Sequence, residues 1–250
     1  MADEKKVALI TGANRGLGLE TAKQLGRKGV TVVLGARKLS DAEAAAAKLT
    51  AEGIEREGLE AYGIQLDVTK ASDRTAAAEF IGKKFGKLDI LINNAGEGQW
   101  GGMVNRTIET TNEELESIFQ TNFFSVVYLT RELMPLLRKS EGGRIVNLSS
   151  ILGSLSLHAD AKGPIAGVKL FAYDSSKTAL NAFTIHLADE LKDTKIKVNS
   201  VHPGWVKTEM GTDAAPMEVD EGAKTSVDLA LIGPDGPNGK FIHLGQELAW

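Results

Sequence analysis

The chain has 250 residues, of which 42% are hydrophobic, and this is enough apolar material to fill the core of one large α/β domain. Its 29 Lys and Arg against 33 Asp and Glu leave a net charge of −4 without a basic run, so neither nucleic acid nor an anionic membrane surface is an expected partner. Cysteine is absent, which excludes disulfides, thiolate metal sites and a cysteine nucleophile.

Short β-branched segments alternate with longer helical patterns along the chain. Strands are predicted at Val7–Thr11, Val30–Ala36, Leu59–Gln65, Leu88–Asn93, Arg144–Ser149, Ile196–His202 and Lys240–Leu244, with helices near 17–28, 40–52, 71–85, 112–138, 173–193 and 219–231. This alternation predicts an α/β fold, a Rossmann-type doubly wound parallel sheet of about seven strands with helices on both faces. No linker or repeat interrupts it, so residues 1–250 are expected to form a single domain.

Neither a signal peptide nor a membrane span is apparent in the sequence. Residues 1–6 lead into the first predicted strand without the apolar stretch and small-residue cleavage site of a secretory signal. No run approaches the ~20 apolar residues that cross a bilayer. We therefore expect a soluble protein, and the lack of cysteine agrees with a cytoplasmic location.

A glycine-rich turn follows the first predicted strand. Gly12, Gly16 and Gly18 permit a sharp turn and let a phosphate approach the main chain where a helix begins. The end of the second strand carries Arg37 and no carboxylate for a ribose 2′-hydroxyl. Arg15, inside the turn, and Arg37 could together grip a 2′-phosphate, so the pattern predicts a dinucleotide site that takes NADP(H).

Polar residues follow the third and fourth predicted strands. Asp67, with Val68 beside it, ends the third strand and could accept a hydrogen bond from an adenine amino group. Asn93 begins the run Asn93-Asn94-Ala95-Gly96, and its side chain could either tie neighbouring strands together or contact the cofactor. Ligands in open α/β sheets bind beyond the carboxyl ends of the strands, so these segments are expected to converge on one crevice.

The ordered set of motifs resembles the short-chain dehydrogenase/reductase family over roughly residues 6–245. The shared motifs are Thr11-Gly12-x-x-x-Gly16-x-Gly18, Asp67, Asn93-Asn94-Ala95-Gly96, Asn122, Ser149, Tyr173-x-x-x-Lys177 and Pro203-Gly204. Segments 12–20 and 203–210 are similar to the NADPH-dependent carbonyl reductases of that family. The resemblance implies further cofactor contacts from Asn14, Leu17, Asn94, Ala95, Gly96, Pro203, Gly204, Val206 and Thr208, the last of which would meet the nicotinamide carboxamide.

A tyrosine and a lysine one helical turn apart are the predicted catalytic pair. Free tyrosine has a pKa of about 10, and the Lys177 cation on the same helix face as Tyr173 is expected to lower it. Tyr173 would donate its proton to a carbonyl oxygen as hydride reaches the carbonyl carbon, and Ser149 would hydrogen-bond that oxygen. The resemblance implies that Tyr173 and Lys177 also contact the cofactor, Lys177 through the nicotinamide ribose hydroxyls, and that Asn122 holds a water connecting Lys177 to solvent.

Three loops, 97–110, 152–171 and 205–218, are expected to shape the substrate pocket. The second is longer than in most members of the family, and the third matches the mobile lid of the family. The predicted pocket residues are apolar, namely Trp100, Ile151, Phe171, Trp205 and Met210. The four histidines have no metal-ligand spacing, so no metal is predicted.

Three functions compete at this point. The favoured one is NADPH-dependent reduction of lipophilic aldehydes and ketones. A 3-oxoacyl-(acyl-carrier-protein) reductase would use the same chemistry, but its acidic carrier needs cations at the mouth of the site, where residues 205–230 have six acidic residues against two lysines. A non-catalytic NADP-binding regulatory protein would need the glycine turn without the tyrosine. The apolar circumference of helix 173–193 favours a homo-oligomer, either a dimer or a tetramer.

Overall fold

The computed structural model of the chain describes residues 5–51, 60–98 and 107–250. Within these ranges the strands form one sheet in the order β3-β2-β1-β4-β5-β6-β7-β8, in which β1 to β7 are parallel and β8 is antiparallel to β7. The strands are β1 Val7–Thr11, β2 Thr31–Ala36, β3 Ala61–Gln65, β4 Ile90–Asn93, β5 Arg144–Leu148, β6 Lys197–Val201, β7 Phe241–His243 and β8 Gln246–Glu247. The predicted doubly wound parallel sheet is confirmed, with one short edge strand more than expected.

The helices follow the predicted order with two differences. They are α1 Gly16–Arg27, α2 Leu39–Ala51, α3 Ala71–Phe85, α4 Asn112–Phe119, α5 Ser125–Leu137, α6 Leu155–Ala159, α7 Phe171–Glu190 and α8 Val219–Leu231. A π-helical turn, Gln120–Phe124, interrupts the single helix predicted over 112–138. The short helix α6 lies in the segment that was predicted to be a loop. Leu59 and Trp100 lie outside the described residues.

The hydrophobic core has two layers, one on each face of the sheet. Successive residues of a strand point to opposite faces, so Ile10 packs in the layer beneath α1, α2 and α8, whereas Leu9 packs with α3, α5 and α7. Both residues are fully buried. This arrangement explains why the central strands are apolar at every position rather than at alternate ones.

The direction of strand order reverses between β1 and β4, and this is where a parallel sheet opens a crevice for ligands. Asn93 lies at the carboxyl end of β4, and its Nδ2 donates to Asn147 Oδ1 on β5 over 2.8 Å. Of the two alternatives for Asn93, the structure therefore has the one in which it ties neighbouring strands together. Among the described residues, no helix combines the length and apolarity that a membrane span needs.

Candidate active site

The glycine turn between β1 and α1 presents bare backbone to the crevice. Gly12 and Gly16 have φ values of +63° and +54°, a left-handed conformation that other residues rarely adopt. A Cβ at Gly18 would lie 2.5 Å from both Asn94 Nδ2 and Gly12 O, so no side chain fits there. Arg15, the residue before α1, makes no side-chain cap, so its side chain does not occupy the first N–H groups of the helix. These features fit a pyrophosphate.

Residues after β4 hold this turn in place. The Thr11 hydroxyl accepts hydrogen bonds from the N–H groups of Asn94 at 3.0 Å and Ala95 at 2.9 Å. Asn94 Nδ2 in turn donates to Thr11 O at 2.7 Å and to Gly12 O at 3.1 Å. Asn94 therefore shapes the cofactor turn through its side chain.

Asp67 and Arg37 lie at the neighbouring strand ends, where the adenosine half of the cofactor was predicted. Thr69 donates to Asp67 Oδ1 from its hydroxyl at 2.7 Å and from its N–H at 3.1 Å. Burial alone would raise the pKa of Asp67, but these hydrogen bonds and the charges of Lys70 and Arg37 bring it below its ordinary value. Asp67 is therefore an ionised acceptor close to Arg37, and the side chain of Val68 packs in the core.

The lid segment 205–218 docks against the same turn. Arg15 is exposed and forms an ion pair with Glu209 of the lid. The Thr208 methyl lies 3.6 Å from the position that a Cβ would take at Gly16. Val206 is buried, and its side chain packs so closely on α8 that a Cβ at Gly222 would lie 2.6 Å from it.

Other predicted cofactor contacts flank this docked lid. Gly204 follows β6 with a φ of +94°, so the Pro203-Gly204 pair turns the chain from the sheet into the lid. Leu17 is half-buried and approaches α8, where its Cδ2 lies 3.0 Å from the ideal Cβ position of Gly222. Asn14 is half-buried within the glycine turn.

Tyr173 and Lys177 lie on α7 beside the carboxyl end of β5, as predicted. Lys177 is buried, and its Nζ donates to Leu148 O over 2.8 Å and lies 5.5 Å from the centroid of the Tyr173 ring. The Tyr173 side chain forms a hydrogen bond with that of Ser150. A phenol, a hydroxyl and an ammonium therefore meet at one strand end.

The serine predicted for this cluster, Ser149, is directed elsewhere. Its hydroxyl donates to Asn181 Oδ1 over 2.7 Å, a buried bond that holds the end of β5 against α7. Ser150 Oγ instead accepts from Leu152 N at 3.2 Å, and its O–H is the donor that remains for Tyr173 or for a substrate oxygen. Side chains of adjacent extended residues point in opposite directions, so only one of the two serines can face the phenol.

The pKa values of the pair run opposite to the sequence expectation. Burial raises the pKa of Tyr173, the Ser150 hydrogen bond lowers it in part, and the charge of Asp174 adds to the rise, so that the pKa is about 12. Burial lowers the pKa of Lys177 to about 8. Desolvation disfavours the charged form of both groups, and it outweighs the cation that was expected to lower the tyrosine pKa. The phenol therefore keeps its proton at neutral pH.

Asn122 lies buried in the π-helical turn and faces the strand end after β4. Its Oδ1 accepts from Glu97 N at 2.8 Å, and its Nδ2 donates to Glu97 O at 2.9 Å and to Ser176 Oγ at 3.1 Å. A Cβ at Gly96 would be 3.4 Å from Asn122 Oδ1 and 3.7 Å from Lys177 Nζ. Asn122 and Lys177 therefore approach the same glycine.

The described members of the predicted substrate pocket lie on three segments: the turn after β5, the start of α7 and the lid. Phe171 begins α7 and is 38% exposed, whereas Trp205 and Met210 of the lid are 50% and 43% exposed. Met210 Cγ lies 3.3 Å from where a Cβ at Gly98 would stand, so the lid reaches across to the segment after β4. Ile151 is half-buried next to Ser150.

Sequence reasoning missed Ser150 and also His202. Ile151 N donates to His202 Nδ1 over 3.2 Å, so this imidazole at the end of β6 fixes the turn that presents Ser150. Burial and the neighbouring His243 lower the pKa of His202 to about 3, which agrees with its role as a neutral acceptor. The alternation of strand side chains could have indicated Ser150, whereas no local pattern points to His202.

Comparison with known proteins agrees with this geometry. The sequence pattern of the family described as short chain dehydrogenase matches residues 6–219. The chain is 36% identical to short-chain dehydrogenase/reductase 1 of Saponaria officinalis, over 95% of this chain and 94% of that protein. It is 32% identical to the NADPH carbonyl reductase 1 of Bos taurus, over the whole length of both. The crystal structure of NADPH-bound carbonyl reductase from chicken fatty liver superposes with a TM-score of 0.82 at 26% identity, covering 99% and 100% of the two chains.

The doubly wound sheet, the bare glycine turn and the phenol beside a lysine define a dinucleotide-dependent oxidoreductase. The chain belongs to the short-chain dehydrogenase/reductase family. Within that family it is similar to carbonyl reductases over its full length.

Proposed function

We propose that this protein reduces lipophilic aldehydes and ketones to alcohols with NADPH, using Tyr173 as the general acid. The observation that carries the proposal is the hydrogen bond between Tyr173 and Ser150, with the Lys177 ammonium 5.5 Å from the tyrosine ring. Lys177 Nζ lies 3.7 Å from the position that a Cβ would take at Gly96, two residues after Asn94, whose side chain donates to Gly12 O in the glycine turn. Proton donor and cofactor site therefore share one space.

Four side chains have distinct roles in this reaction. Tyr173 donates the phenolic proton to the carbonyl oxygen, and its raised pKa keeps that proton in place at neutral pH until negative charge develops there. Ser150, in place of the Ser149 predicted from sequence, donates a hydrogen bond to the same oxygen. Lys177 binds the nicotinamide ribose, and its charge favours the phenolate that remains after proton transfer. Asn122 keeps the turn beside Lys177 in place and leads to the water that reprotonates the site.

NADPH is the cofactor that the residues fit, and when bound it supplies the hydride. The N-terminus of α1 binds the pyrophosphate, and Thr208 of the docked lid binds the nicotinamide carboxamide. Arg15 and Arg37 are exposed cations at the edge of the crevice, where they bind the 2′-phosphate. The NADPH-bound carbonyl reductase of similar fold supports the same cofactor here.

The exposed apolar side chains at the start of α7 and on the lid support a lipophilic substrate. Phe171, Trp205 and Met210 each leave about two-fifths or more of their surface in solvent, which is a cost unless a ligand covers them. A delivered acyl-carrier substrate is less well supported because the exposed Glu209 and its acidic neighbours in the lid would repel an acidic carrier.

The test is the loss of reduced-nicotinamide absorbance with NADPH or NADH against aromatic aldehydes, α-diketones and an acetoacetyl thioester. Tyr173→Phe removes the proposed acid, and Tyr128→Phe, a partly exposed tyrosine on α5, is the matched control. Turnover of free carbonyls with NADPH that only Tyr173→Phe abolishes would support the proposal. Activity confined to the thioester would favour the acyl-carrier alternative, and tight NADPH binding without any turnover would favour a regulatory protein.

A further inference from the structure

The carboxylate of Asp174, next to Tyr173, lies in a position that the reaction itself does not require. The residue is only 8% exposed, and its Oδ2 accepts from Leu170 N, at the start of α7, over 2.9 Å. Its Oδ1 is buried without a hydrogen-bond partner among the described residues. Burying a carboxylate in this way is costly, so another interaction must favour an acid here.

The interaction that favours an acid at position 174 comes from segment 154–170, which joins the turn after Ser150 to α7. His158 Nε2 on α6 lies 3.3 Å from Asp174 Oδ2 and 2.9 Å from Leu152 O. Its other ring nitrogen, Nδ1, is 3.0 Å from Lys169 Nζ. An ammonium can only donate, so Nδ1 is the acceptor and Nε2 carries the hydrogen that is directed at Asp174 and Leu152.

His158 and Asp174 therefore join four places along residues 152–174. They are the turn after Ser150, helix α6, the end of the segment at Lys169 and Leu170, and the first turn of α7. The turn is held a second time by α7, because Thr178 Oγ1 donates to Gly153 O over 3.0 Å. The two ends of this network adjoin the two residues that face the substrate oxygen, Ser150 and Tyr173.

We propose that Asp174 and His158 are positioning residues that anchor segment 154–170 to α7, the helix that carries Tyr173. The anchor fixes the position of Tyr173 relative to Ser150, and it also fixes one wall of the substrate pocket. The positioning role rests on the proposed carbonyl reduction, whereas the anchor itself does not. Leu155 on α6 is 63% exposed, so the anchored segment also presents an apolar side chain at the surface.

Two pairs of variants distinguish the loss of the anchoring hydrogen bonds from a general loss of packing. Asp174→Ala removes the acceptor, whereas Asp174→Asn keeps an oxygen that can accept from both Leu170 N and His158 Nε2. His158→Leu removes the donor, whereas His158→Gln keeps an N–H at a similar reach. Ser156→Ala, which removes an exposed hydroxyl on α6 in the same segment, is the control.

Hydrogen exchange of residues 154–170 is measured together with kcat and KM for a small aldehyde and a bulky ketone. We expect Asp174→Ala and His158→Leu to speed exchange and to lower kcat/KM roughly 10- to 100-fold, the range for one lost hydrogen bond to a charged group. For the small aldehyde we expect kcat to fall, because Tyr173 is displaced. For the bulky ketone we expect KM to rise as well, because one wall of the substrate pocket is displaced. Asp174→Asn and His158→Gln recover much of the loss, and Ser156→Ala matches wild type. The Kd for NADPH stays within about twofold throughout.

Unchanged exchange in Asp174→Ala and His158→Leu would overturn the anchor. Faster exchange with kcat/KM unchanged would overturn the positioning role. If Asp174→Ala does not fold, His158→Leu on the short helix α6 gives the same two readings. Should the wild-type protein reduce no carbonyl, the proposed function fails, and the exchange measurement still decides whether the anchor exists.

Discussion

The two sides of the crevice are built in different ways. On the cofactor side, between β1 and β4, the main chain forms most of the site. Its parts are glycines without room for side chains, the first N–H groups of α1, and the turn held by the Thr11 hydroxyl. On the chemical side, between β5 and α7, long-range side-chain contacts decide the arrangement, such as those of Ser149 with Asn181 and of Ile151 with His202. Substitutions on the cofactor side should therefore change the affinity for NADPH, whereas substitutions on the chemical side should change turnover.

Tyr173→Phe should give the largest effect. Without the phenolic proton the carbonyl oxygen loses its acid, and we expect kcat to fall about 10²- to 10⁴-fold, the usual contribution of general acid catalysis. The Kd for NADPH, measured by fluorescence titration, should stay near that of wild type. A fall in NADPH affinity of the same size as the fall in kcat would contradict the separation of the two sides.

Ser150→Ala and Ser149→Ala should differ although the residues are neighbours. Loss of the Ser150 donor should lower kcat about 10²- to 10³-fold, as for other donors to a developing oxyanion. Loss of the buried bond from Ser149 to Asn181 should instead lower the free energy of unfolding by about 1–3 kcal/mol. Steady-state kinetics and urea unfolding measure the two, and the reverse pattern would restore the sequence prediction for Ser149.

Asp174→Asn should change how stability depends on pH. Burial raises the pKa of Asp174 from 3.8 to about 6, even though the Leu170 N–H, His158 and Lys169 oppose it. At Asp174 the folded state therefore binds more protons than the unfolded state across this window, so the stability that this residue contributes should fall as pH rises from about 4 to 6, whereas the lowered pKa of His202 acts in the opposite direction. The loss should be at most about 1.4 kcal/mol per pH unit. The slope of the urea midpoint against pH should be more positive in Asp174→Asn than in wild type, because the negative contribution of Asp174 is lost, and equal slopes would refute the pKa shift.

Arg15→Ala and Arg37→Ala should have the smallest effects, confined to the cofactor. Each removes one charge-assisted contact at an exposed position, so we expect KM for NADPH to rise about tenfold at low salt. KM for NADH and kcat should change little, because NADH lacks the 2′-phosphate. The ratio of KM values for the two cofactors is the measurement, and a preference of the wild type for NADH would refute both assignments.

The sequence predicted the fold and the cofactor side better than the chemical side. Strand periodicity located β1 to β7, and the glycine spacing located the turn, because both are properties of short local segments. Ser149 was predicted to contact the substrate oxygen and Ser150 was not considered for that contact. The direction of each side chain at this strand end depends on how the strand packs against α7, which the sequence does not reveal. The raised pKa of Tyr173 was missed for a similar reason, since burial is a property of the whole fold and not of a Tyr-x-x-x-Lys spacing.

The contact between Gly153 and α7 limits how this protein can be diversified in the laboratory. A Cβ at Gly153 would lie 2.9 Å from the Lys177 main chain, so any side chain there would displace the helix that carries Tyr173. The exposed positions a few residues later, namely Leu155, Ser156, Ala159, Ala161 and Lys162, meet no such restriction. A library aimed at new substrates should therefore keep residue 153 as glycine and vary the outer face of the segment that follows it.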